Sequence, residues 1–109
     1  DVSMAQRNQA LYSYEKTVRG AFKEVHDSLD AMSRYGEQLA ELQGQVAVAE
    51  ETLRIAQNRY RNGYSSYLDV LDAQRTLFST QLGVVQVRIN QLLALIDLYR
   101  ALGGGWMNA

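Results

Sequence analysis

Asp69 and Asp72 are the residues here whose type and spacing could do chemistry. They lie three apart in Leu68-Asp69-Val70-Leu71-Asp72, so on a helix they share a face. Paired carboxylates can hold cations, repel one another, or divide acid and base work between them. No further acid-base group accompanies this pair, so no catalytic residue is assigned and no enzyme is expected. Asp69 also reads as a first-turn residue that complements the helix dipole. Asp72 lies too deep for capping, and its competing reading is an i,i+3 ion pair with Arg75.

Around the acids stand Tyr60, Tyr64 and Tyr67, a possible recognition surface, although Tyr60 is also the last member of a heptad series. Arg59 and Arg61 make a weak nucleic-acid motif, because the neighbouring faces are acidic or neutral. His26 is the single histidine and falls at a solvent-facing heptad position. With no second histidine and no cysteine to join it, no metal site is assigned, and no cofactor. Gly103-Gly104-Gly105 follows no strand and opens no helix, so it is not a phosphate loop.

These residues need a hairpin to position them. The spacing predicts an all-α chain: a long helix over 1–62, a turn at 63–66, a second helix over 67–102 and a loose tail at 103–109. Leu11, Val18, Val25, Met32, Leu39, Val46, Leu53 and Tyr60 are each seven apart. Tyr14, Ala21, Ser28, Tyr35, Leu42, Ala49 and Ala56 follow by three, which is the a/d pattern of a coiled coil. Phe22 and Leu29 widen the apolar face. At ~1.5 Å per residue such a helix spans roughly 90 Å. Glu15–Arg19, Lys23–Asp27, Asp30–Arg34 and Glu50–Arg54 are spaced for i,i+4 ion pairs.

Gly63 suits the left-handed residue that ends a helix, and Ser66 with Asp69 three residues on resembles a capping box. In the second helix the same logic selects Leu68, Arg75, Leu82, Ile89 and Ile96, with Leu71, Phe78, Val85, Leu92 and Tyr99 three residues after each. The three glycines after Leu102 read as a stop. Paired from the turn, the second helix covers the first back to about residue 25 on this reading, at ~1.5 Å per residue in each. Leu11, Tyr14, Val18 and Phe22 are then left open for helices from elsewhere.

Composition narrows the function. The chain has 109 residues, no proline and a net charge of -1. The absence of proline suits long uninterrupted helices. The balanced charge offers no field for nucleic acid or anionic lipid. No disulfide is possible, since cysteine is absent. No apolar run approaches the ~20 residues of a spanning helix. The start at Asp1-Val2-Ser3-Met4 reads as a piece of a longer protein.

Arg59-Tyr60-x-x-Gly63, then Leu68-Asp69-Val70-Leu71-Asp72-Ala73-Gln74, and the ending Ala101-Leu102-Gly103-Gly104-Gly105-Trp106 closely resemble the C-terminal part of outer-membrane efflux factors. These are the TolC- and OprM-like exit ducts of tripartite drug and metal efflux pumps. The resemblance implies a bacterial outer-membrane homotrimer whose long antiparallel hairpins build a periplasmic α-barrel, with membrane contact only through a β-barrel outside this sequence. It implies a passive duct for drugs or other small molecules, tied to multidrug resistance. A periplasmic adaptor and, indirectly, an inner-membrane pump are its implied partners.

By motif matching, Asp69 and Asp72 fall at an acidic periplasmic constriction, and Tyr60 at a position that helps hold the closed tip. Asn62, Gly63, Tyr64, Ser65 and Ser66 fall at the tip that meets the adaptor. Ser65 stands where some TolC-type proteins carry an arginine that locks the closed state, so this chain departs from that lock. The alternative reading is a structural coiled-coil hairpin of a periplasmic adaptor or scaffold.

Overall fold

The computed structural model describes residues 2–107. Helix α1 runs Val2–Arg61 and helix α2 runs Tyr67–Met107, with residues 62–66 between them. The chain divides into two compact units, residues 34–91 and residues 1–33 with 92–109.

In the first unit the helices run antiparallel. Leu42 of α1 lies against Gly83 of α2, and Gly36 lies beside Gln91, so positions rise on one helix as they fall on the other. A Cβ added at Gly83 would stand 3.6 and 3.8 Å from the two methyl carbons of Leu42. Leu42 is thus a knob seated in a hole that glycine leaves shallow. The shielded α1 residues of this unit are the expected ones: Tyr35, Leu39, Leu42, Val46, Ala49, Leu53 and Ala56. In the other unit Ala21, Val25, Ser28 and Met32 continue the series on α1.

On α2 the buried register differs from the expected one. Leu68, Leu71, Phe78, Leu82, Val85, Ile89, Leu92, Ile96 and Tyr99 are all exposed, Leu68 at 67% and Tyr99 at 69%. Arg75 is exposed with them. The shielded residues are Val70, Leu77, Val84, Gln91 and Leu98, with Ala73, Thr80, Val87, Ala94 and Ala101 three after each. So α2 carries two heptad stripes offset by two residues. One neighbouring helix can close over only one of them. The helices meet over the smaller residues, because the distance between helix axes is set by side-chain size at the contact.

The second stripe also explains the hydropathy of α2. Between Tyr67 and Gly103 it is long and apolar enough to cross a membrane, at a mean hydropathy of 1.2. The expectation concerned an uninterrupted apolar run of ~20 residues, and none occurs in this helix. The apolarity comes from two coiled-coil faces rather than from one unbroken run.

Three local expectations also change. The helix does not stop at Gly103 but continues to Met107. Among the described residues only Gly63 has positive φ, so the later glycines provide no left-handed terminator. Each costs ~1 kcal/mol relative to alanine without breaking the helix. Of the predicted tail, Asn108 and Ala109 lie outside the described residues. Val18 is half-buried and so leaves the open stripe, while Leu11, Tyr14 and Phe22 stay exposed at 60–71%.

Of the four expected ion pairs, only Glu15–Arg19 forms among the described residues, at 4.0 Å. Asp30 instead meets His26 at 3.4 Å, and Arg54 turns back one turn to Glu51, with Nε donating at 2.9 Å. Hydrogen bonding from Arg54 holds the Glu51 carboxyl below its ordinary range. A depressed carboxyl contributes above its unfolded pKa and loses that contribution as pH falls through the folded value. The pair is exposed, so its effect on stability is small.

The buried apolar residues are Ala49, Val70, Ala73, Val87, Ala94 and Ala101, and no large side chain is fully enclosed among the described residues. Such a seam is sensitive to added volume. Ala73→Leu is expected to destabilise the chain by about 1–3 kcal/mol. Phe78→Ala, on the outward stripe, should change it by under about 0.5 kcal/mol in dilute solution. Denaturant melts followed by circular dichroism check both. A larger loss from the phenylalanine change would reverse the assignment of the two faces.

Candidate functional site at the hairpin tip

The tip is built first by backbone hydrogen bonds. The Tyr64 amide donates to the Arg59 carbonyl at 2.8 Å, and the Gly63 amide donates to the Tyr60 carbonyl at 3.0 Å. Those are the 6→1 and 5→2 bonds of a Schellman motif, with Asn62 as the cap and Gly63 as the left-handed residue at φ 76°. The Asn62 amide reaches the Asn58 carbonyl at 3.1 Å, and the Asn62 side-chain amide donates to the same oxygen at 2.9 Å. Arg59 and Arg61 lie in the last turn, where cations offset the partial negative charge of the helix end.

Helix α2 opens differently from the capping box that Ser66 and Asp69 suggest. The Asp69 amide donates to the Ser66 carbonyl at 3.2 Å. No hydrogen bond from the Ser66 hydroxyl or to the Asp69 carboxylate accompanies it among the described residues, and both side chains face solvent. A tight i→i+3 first turn takes over one donor that a side-chain cap would have satisfied. Asp69 in the first turn still has the favourable sign for the helix dipole.

Asp69 and Asp72 lie on one flank of an open groove, together with Ala73, Thr76 and Thr80 of α2. The facing flank is Gln45, Val48, Ala49, Thr52, Ile55, Ala56 and Arg59 of α1, and Ser65 closes it at the turn. The i,i+3 pair between Asp72 and Arg75 does not form, and neither acid makes an ion pair among the described residues. Both carboxylates are exposed and unengaged. Arg59, Thr76 and Thr80 were not picked out as neighbours of the acids. For Thr76 and Thr80 the available signal was their helical spacing from Asp72 along one flank, whereas Arg59 comes from the facing helix.

The tyrosines separate. Tyr60 and Tyr67 meet across the turn with ring centroids 5.2 Å apart and planes at 55°. Tyr60 is 47% exposed, so it ends the heptad series by bracing the turn and not by entering the seam. Tyr64 projects into solvent. Asn62, Gly63 and Ser66 are exposed as well. Ser65 is the exception within the tip: its hydroxyl is shut off from solvent and has no hydrogen-bond partner. His26 is exposed on α1, far along the chain from the acids.

The described residues form an antiparallel coiled-coil hairpin with a second, exposed apolar face and two unengaged acids beside a capped turn. The sequence profile of the family described as "Outer membrane efflux protein" matches residues 1–104. The chain belongs to that family. It is 43% identical over 106 residues to the probable efflux pump outer membrane protein TtgC of Pseudomonas putida, covering 97% of this chain and 22% of that protein. It is 38% identical to the cation efflux system protein CusC of Escherichia coli O157:H7, again over 97% of this chain and 23% of the relative.

A crystal structure of CusC, reported with conformational changes accompanying folding and transmembrane channel formation, superposes with a TM-score of 0.91 at 36% identity. It covers 96% of this chain and 28% of that one. The chain thus spans about a fifth to a quarter of the length of these relatives. The relatives are efflux-channel proteins and not enzymes. The family resides in the outer membrane, and a helical segment such as this lies on its periplasmic side.

The left-handed residue at the cap is the local test of this tip. Gly63→Ala meets no steric obstacle, since nothing lies within 4 Å of an added Cβ, but it must hold φ 76°. The expected loss is about 1–2 kcal/mol. It should read out as faster amide exchange at position 63 and at Tyr64 together with a lower melting midpoint. Unchanged exchange there would mean that the motif does not hold the turn.

Proposed function

We propose that this chain is a periplasmic α-barrel segment of an outer-membrane efflux channel, a passive exit duct whose narrowest part is set by Asp69 and Asp72. The observation that carries the reading is the second heptad stripe of α2, exposed along the helix, beside two acids with no partner of their own. A stripe with coiled-coil spacing fits another helix, and a closed ring of such hairpins leaves one flank of each free to line a lumen.

In a homotrimer the two acids of each copy form rings of like charge. Carboxylates held close repel and hold cations between them, so the constriction favours cations while closed and widens when the copies separate. The tilted contact of Tyr60 with Tyr67 fixes the approach to the turn. The exposed tip residues Asn62, Gly63, Tyr64 and Ser66, with half-buried Ser65 behind them, form the docking edge for a periplasmic adaptor. Energy comes from an inner-membrane pump. Ser65 supplies no charged lock, so closure rests on helix packing and on cations held between the acids.

Substrate class does not follow from the relatives, whose names speak variously of toluene, antibiotic, solvent and cation efflux. The adaptor-arm or scaffold reading is not favoured, since the matched proteins are outer-membrane channel components.

The test is single-channel recording on the full-length trimer. Asp69→Asn with Asp72→Asn is expected to weaken block by multivalent cations at least about ten-fold, since removing close charge partners shifts affinity by about 1.5 kcal/mol or more. Conductance at low salt should change with it. Identical block and conductance would remove both acids from the constriction.

A further inference from the structure

We propose that Asn62–Gly63 is a deamidation site that the helix cap holds closed, and that its product weakens the tip. The chemistry is intramolecular. The Gly63 backbone nitrogen loses its proton and attacks Cγ of Asn62, the N–Cγ bond forms, and Nδ2 leaves as ammonia. Water then opens the five-membered imide at either carbonyl, leaving aspartate or isoaspartate at position 62. No redox partner is needed. Asparagine followed by glycine is the sequence most open to this step, because glycine puts no side chain in the way of ring closure. Here nothing stands within 4 Å of a Cβ added to Gly63, and both residues are exposed, so neither crowding nor lack of water protects the pair.

What protects it is hydrogen bonding at both reacting ends. The nucleophile, the Gly63 amide, is engaged with the Tyr60 carbonyl at 3.0 Å. The leaving group, Nδ2 of Asn62, is engaged with the Asn58 carbonyl at 2.9 Å. That second bond turns the side chain back one helical turn, away from its own C-terminal amide, which it must approach for the ring to close. Both bonds belong to the last turn of α1, so opening that turn releases both ends together.

The product is a poor replacement for the cap. A carboxylate at position 62 would point an acceptor at the Asn58 carbonyl that now receives a donor. It would also add negative charge at a helix C-terminus, where the dipole disfavours it.

The experiment follows position 62 in the 109-residue chain by peptide mass spectrometry and isoaspartate detection at mildly alkaline pH. One arm is in buffer, with helix verified by circular dichroism, and the other is in guanidinium chloride. Deamidation is expected to be slower in buffer by about 5–30-fold, the population factor that one or two cap interactions set. Arg61→Gly, which loosens the last turn and leaves the reacting pair intact, should recover much of that difference in buffer and change nothing in denaturant. Asn62→Asp, carrying the charge of the product, should melt below the parent. Equal rates in the two arms, or a stable Asn62 in denaturant, would overturn the proposal. An unchanged melting midpoint for Asn62→Asp would overturn the weakening of the tip.

Discussion

Everything in this chain follows from α2 having two apolar faces and only one neighbour here. The seam it forms with α1 is made of small residues: Ala73, Ala94 and Ala101 are buried, with Val70 at 2% exposure the most enclosed. Small residues allow close approach, and they bury little area. A fully buried valine contributes about 1.5–3 kcal/mol and an alanine less. Against that stands the cost of ordering every residue of two long helices. The large residues, Leu68, Phe78, Leu82, Ile89 and Tyr99 among them, remain in water. The sequence therefore stores most of its burial potential on a face that this hairpin leaves unused.

The same division explains what could be read from residues alone. The heptads of α1 were legible because that helix has one dominant stripe, and each expected a and d position from Ala21 to Ala56 is shielded, although Phe22 and Leu29, expected to widen that face, are exposed. The register of α2 was misread because periodicity weights the largest residues. Leu, Ile and Phe outshone the interleaved Ala, Thr and Val that meet α1. Nothing in one sequence says which of two apolar stripes faces the partner encoded beside it. A clue lay in Gly83, which leaves room opposite Leu42. The run Gly103–Gly105 misled in another way. Glycine ends a helix when it takes a left-handed conformation, as Gly63 does, and otherwise only weakens it.

At the tip the turn chemistry was legible and the side-chain chemistry only partly so. Asn-Gly after a basic helix end points to a C-cap, and the hydrogen bonds of residues 62–64 are those of one. A serine three residues before an aspartate points to a capping box, yet the backbone alone opens α2. That leaves the Asp69 carboxylate uncommitted beside Asp72. Sequence spacing could not separate a cap from a free acid, because both need the same residue at the same position.

The rigidity of the turn then constrains how the acids can move. The amides of Asn62, Gly63 and Tyr64 are all bonded back into the last turn of α1, and the Asp69 amide is bonded to Ser66. The α1 side of the turn is therefore the fixed one, while no backbone bond from the Ser65 or Ser66 amide is seen among the described residues. Asp69 and Asp72 stand on the first two turns of α2, each immediately before a residue buried in the seam, Val70 and Ala73 respectively. Shifting the carboxylates without the helix would require tearing out those two side chains. A change in the proposed constriction is therefore a displacement of α2 with its seam, and the natural place for it to slip is the outward stripe, which α1 leaves exposed.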